Sequence, residues 1–116
     1  MDLEELVNAN CENHPSGTPV LTPEEVSSYL SLVEGWQLSD DGSSIVKRLR
    51  FEGFTEAAAF LARFGPMADE QDHHPDVHLT QYRWLQFVFT THSIGGLSRN
   101  DFIMAAKLDR LYSDQT

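Results

Sequence analysis

The sequence predicts an α+β fold in the order α-β-β-α-β-β-α, with a four-stranded antiparallel sheet and helices packed on one face. Three observations carry that expectation. Apolar residues recur at helical spacing in three segments, β-rich runs come as two pairs, and one of the helical segments separates those pairs. A length of 116 residues fits one domain and leaves no room for a second.

Residues 1–20 are polar and turn-rich, and Asn10 through Pro19 show no periodicity, so they read as a flexible N-terminal arm ahead of a domain at 21–116. In Thr22-Pro23-Glu24-Glu25, a capping Thr, a Pro at the first helical position and a Glu at the third form a capping box. Val26, Tyr29, Leu30 and Val33 continue that helix, and Gly35 ends it. Strands are expected at 36–39 and 44–51, around the turn Asp40-Asp41-Gly42. Thr55 can open a second helix with Ala57, Leu61, Phe64 and Ala68 on one stripe, running to about Gln71. Gly65-Pro66 either kinks or splits it, because Pro costs ~3 kcal/mol inside a helix.

Beyond Pro75, residues 77–82 and 84–91 read as a second strand pair. Leu85, Phe87, Phe89 and Thr91 can face the helices. Trp84 and Val88, on the opposite face, are too apolar for a simply solvated surface and point to a partner or pocket. Gly95-Gly96 turns the chain, and Ser98-Arg99-Asn100-Asp101 opens a last helix, with Asp101 at the positive end of its dipole. Phe102, Met104, Ala105, Ala106, Leu108 and Leu111 give that helix a wide apolar arc, of a kind often buried in a homo-oligomer.

The charge balance narrows the partners. With 18 acids against 8 bases the net charge is −10, which argues against nucleic acid and against anionic membrane surfaces. No apolar run approaches the ~20 residues that span a bilayer. A single cysteine, Cys11, forms no internal disulfide, and a reducing, cytoplasmic setting is the simplest expectation. Asp2, Glu4 and Glu5 at the start, with no base beside them, do not suit a targeting peptide.

Four of the five histidines, His73, His74, His78 and His92, fall within twenty residues. Chance clustering on the surface is the plain reading. Zinc is a second, since imidazoles are good ligands, but adjacent His73 and His74 aim poorly at one ion and Cys11 is remote, so no metal is expected. Proton transfer is the third. His73 and His74 lie where a helix stops, His92 lies where a strand stops, and imidazoles exchange protons near neutrality.

The run Asp69-Glu70-Gln71-Asp72-His73-His74-Pro75, followed by Tyr82, Thr91-His92, Gly96-Leu97 and Asp101, resembles the signature of pterin-4a-carbinolamine dehydratases over roughly residues 20–112. The resemblance implies dehydration of 4a-hydroxytetrahydropterin to the quinonoid dihydropterin with no metal or organic cofactor. By position, His73, His74 and His92 would surround the pterin, with Asp72, Thr90, Thr91 and Ser93 on its polar edge. Asp69, Pro75 and Asp101 would support them, Asp101 by capping the His92 loop. His92 is taken as acid, His74 as base and His73 as the orienting ring. The family also implies a homodimer or homotetramer. Two departures, a longer stretch from Pro75 to Tyr82 and Val77 where animal enzymes carry Trp, resemble a dehydratase-like branch that assists RuBisCO assembly in autotrophs, in carboxysome bacteria among others. A non-catalytic assembly factor with RuBisCO as partner is therefore the alternative expectation.

Overall fold

The computed structural model describes residues 1–114. The seven expected elements are present in the expected order: α2 (Pro23–Leu30), β1 (Gln37–Leu38), β2 (Ile45–Arg50), α3 (Phe54–Gln71), β3 (Asp76–Thr80), β4 (Trp84–Phe89) and α4 (Arg99–Asp114). An eighth element precedes them. Helix α1 (Leu3–Asn8) lies inside the segment expected to be a loose arm. Its start is a capping box, in which Asp2 accepts from the Glu5 amide at 2.9 Å and Glu5 accepts from the Asp2 amide at 3.3 Å.

The strands form one antiparallel sheet in the order β1-β2-β4-β3. Register follows side-chain chemistry. Ile45 and Leu49 pair with Phe89 and Leu85, and all four are buried on the helix side. Val46, Arg48, Gln86 and Val88 share the other face, where the Arg48 guanidinium lies 4.1 Å from the Trp84 ring centroid. Trp84 thus gains its cover within the sheet by a cation–π contact.

Helix α3 runs unbroken through Pro66, whose ring sits on the exposed side, so Gly65-Pro66 does not split it. Its buried stripe is Ala57, Phe60, Phe64 and Ala68, with Phe60 in place of the expected Leu61. Phe60 and Phe64 meet Phe87 edge-on at 6.3 and 5.4 Å, the preferred geometry for aromatic rings.

Helix α4 is the central strut, and every residue from Asn100 to Ala106, and Leu108, is buried. Much of the wide apolar arc is covered within the chain. Leu6 of α1 is fully buried, Lys107 Nζ donates to the Val7 carbonyl at 2.7 Å, and Tyr29 stacks on Phe102 at 5.0 Å. The helix within the expected arm and the apolar arc of α4 thus pack on each other.

Candidate active site

The site begins where α3 ends. Asp72 adopts the left-handed conformation (φ 51°, ψ 43°), and the His73 amide donates back to the Ala68 carbonyl at 3.2 Å while the Asp72 amide donates to Asp69 at 3.2 Å. This is a Schellman cap built on Asp where Gly is usual. The reversal turns His73 inward and leaves His74 outside.

His73 is 9% exposed, and its ring lies nearly parallel to Phe89, with centroids 6.3 Å apart. Its Nε2 is 2.6 Å from Oδ1 of Asp101, a carboxylate with no exposed surface in the first turn of α4. The other carboxylate oxygen accepts from Thr91 Oγ1 at 2.9 Å and from the Ser98 amide at 3.0 Å. With its proton on Asp101, Thr91 Oγ1 can only accept from Ser98 Oγ, 2.7 Å away. A carboxylate only accepts as well, so Nε2 of His73 carries hydrogen and a neutral ring keeps its lone pair on Nδ1. One buried charge thereby fixes the end of α3, the end of the last strand and the start of α4.

Beside this network lies a cleft of about 190 Å³, lined by Asp72, His73, Thr91 and Ser93 together with Gln71, Asn100 and residues 11–14. Four expected site residues are therefore brought together. The others lie elsewhere. His74 is exposed and pairs with the exposed Asp69 at 2.8 Å. His92 opens an exposed single turn, His92–Ile94, outside the cleft lining. Thr90 donates its hydroxyl to the Ser43 carbonyl at 2.6 Å, which uses it to hold the sheet. Pro75 joins His74 to β3. The three imidazoles do not share one lining. Tyr82 is exposed in the turn between β3 and β4, and Val77 packs on the core beside Phe87. A larger groove of about 740 Å³, between α1, residues 31–35 and the end of α4, contains none of the histidines.

Among the described residues no three His, Cys, Asp or Glu side chains gather as a metal site. Two groups off the network have shifted acidities. Burial pushes the Cys11 thiol up to about 11, so it stays protonated at neutral pH. Burial also raises the Asp109 carboxyl above its ordinary 3.8, against the pull of Lys47 at 2.9 Å and Trp36 at 3.0 Å.

Sequence reasoning assigned Asp101 to capping, and it does receive the Ser98 amide, but its bond to His73 across 28 positions was missed. Gln71, Asn100 and His14 were missed too. For the segment carrying His14, the one available signal was the Asp2-x-x-Glu5 box, which promised an ordered start.

Comparison with known proteins bears on the family and the fold. The model of the family described as "Pterin 4 alpha carbinolamine dehydratase" matches residues 19–111. A protein of Methylococcus capsulatus, provisionally named a pterin-4-alpha-carbinolamine dehydratase, is 38% identical over 114 residues, covering 98% of this chain and 99% of its own length. A Paracoccus denitrificans protein with the same provisional name is 42% identical over 95 residues, covering 80% of this chain and 86% of its own. Among solved structures, a transcriptional coactivator/pterin dehydratase from Brucella melitensis superposes with a TM-score of 0.75 at 30% identity, covering 80% of this chain and 98% of that one. None of these names mentions RuBisCO. The fold, the matched span and the identities together place this chain in the pterin-4a-carbinolamine dehydratase family.

Proposed function

We propose that the chain dehydrates a 4a-hydroxytetrahydropterin to the quinonoid dihydropterin by histidine acid–base catalysis at the outer rim of the His73 cleft, where His74 and His92 adjoin the lining residues His73, Thr91 and Ser93 in the chain. The observation that carries this reading is the His73–Asp101 pair, a buried and oriented imidazole bordering a cleft in a chain of this family. The reaction breaks one C–O bond. A proton reaches the leaving hydroxyl, a proton leaves a ring nitrogen, and water departs.

The roles divide by exposure. His73, clamped by Asp101, orients the heterocycle, with Asp72 and, once its hydroxyl leaves the His14 carbonyl, Ser93 offering polar partners for its edge, while Thr91 holds Asp101. His74 and His92 face solvent, where they can trade protons with water between turnovers. His74, with Asp69 beside it, is the base, and His92 is the acid. No observation favours RuBisCO assembly over this reading.

The test is carbinolamine decay followed by absorbance, with and without purified protein. Wild type should outpace buffer, and His74→Ala and His92→Ala should each lose about 10²–10⁴-fold, the usual worth of a general acid or base. Wild-type rates equal to buffer would overturn the proposal.

A further inference from the structure

The segment between α1 and α2 lies against the cleft. Residues 11–14 line it, held by side chains from three separate elements. Gln71, the last residue of α3, accepts from the Cys11 amide at 2.7 Å and donates to Asn10 Oδ1 at 3.1 Å. Asn100, on α4, accepts from the Glu12 amide at 2.9 Å and donates to the Glu12 carbonyl at 2.7 Å. Ser93, expected to contact substrate, spends its hydroxyl on the His14 carbonyl at 2.6 Å.

Both ends of this strap are fixed independently of the cleft. Leu6 is buried against the core at one end, and the Leu21 amide donates to the Leu97 carbonyl at 3.0 Å at the other. Gly96 lets the chain pass there, since a Cβ at that position would lie 2.8 Å from Val20 Cγ1. Residues 9–20 between those anchors contain no helix or strand.

The strap lies ahead of the span that the family model matches, and the Methylococcus capsulatus relative, matched over 98% of this chain, extends across it. The family model starts at residue 19, and 80% of this chain is enough to match 98% of the Brucella structure. With the strap seated, the cleft measures about 190 Å³, below the 300–1,000 Å³ usual for small-molecule sites.

We infer that residues 10–14 are a gate: seated, they close the His73 cleft, and the pterin enters when the strap lifts from Gln71, Asn100 and Ser93. The inference rests on the dehydratase reading for the identity of the ligand, not for the gate itself. A closed strap lowers the competent fraction of the protein and so raises the apparent KM without touching the chemical step.

The test uses the full chain carrying Gln71→Ala and Asn100→Ala, which removes four strap contacts. Three quantities are read: amide exchange at Cys11 and Glu12, acylation of His73 by diethylpyrocarbonate mapped by mass spectrometry, and dehydration kinetics. Expected are faster exchange, faster His73 acylation, and KM lowered about tenfold. If His73 acylation rises while neither protein turns over pterin, the gate stands and the dehydratase reading fails. If strap exchange rises but His73 acylation does not, or if KM rises, the strap is a fixed wall and the gate is overturned. Should the double variant not fold, Glu12→Pro removes the Glu12 amide donor to Asn100, and the same outcomes apply with exchange read at Cys11 alone.

Discussion

Two imidazole–carboxylate pairs stand on adjacent residues and differ in almost everything but chemistry. His73 and Asp101 are 2.6 Å apart with side chains 10% and 0% exposed, whereas His74 and Asp69 are 2.8 Å apart with side chains 54% and 78% exposed. The distances barely separate them; the surroundings do. Asp101 also takes two further hydrogen bonds, so removing it strands three donors at once. Asp69 can be replaced by water. A single left-handed residue, Asp72, sends one ring into the protein and leaves its neighbour outside. A fixed ring suits orientation, and an exposed ring suits proton exchange.

The widest gap between the pairs should appear on deleting each carboxylate. Asp101→Ala should cost about 3–5 kcal/mol, the usual result of breaking a buried ionic network from one side, read by urea unfolding. Stability within 1 kcal/mol of wild type would break the contrast.

Asp109 sharpens it, as a partly buried carboxylate whose charge desolvation disfavours. Its folded pKa is raised, so the native state holds its proton to higher pH than the unfolded chain does. Stability from this group is therefore lost as pH rises from about 3.8 through the raised value, and the cost is absent below that window. Asp109→Asn should remove this slope. Unfolding curves over that range should show the variant gaining on wild type as pH increases, and parallel curves would refute the assignment.

The smallest effect belongs to the exposed pair. Asp69→Ala should change stability by no more than ~1 kcal/mol, since surface pairs gain little in water and are screened by salt. Its effect should show instead in the pH profile of dehydration, through His74. A stability loss comparable to that of Asp101→Ala would mean that exposure does not govern these pairs.

Element type and order were legible because each rests on local signals. Thr22 with Glu25 formed the expected capping box, and Leu85, Phe87, Phe89 and Thr91 turned inward as their alternation required. Pro66 was undecidable from sequence, because its cost depends on whether the ring finds open space beside the helix. Of the candidate site, His73, Thr91, Ser93 and Asp72 were expected together and border one cleft, but the strap over it was not legible. Residues 9–20 have almost no periodicity to read, and their order comes from partners 60 to 89 positions away.

By itself the sequence determined the α+β order, the strand faces, the family and the chemically capable residues. These depend on spacing, turn residues and side-chain type, all local to the chain. Only the tertiary structure decided which imidazole is buried, which carboxylate holds it, and that α1 and the strap cover α4 and the cleft. Such choices depend on groups far apart in sequence excluding water from one another, and no local pattern encodes that.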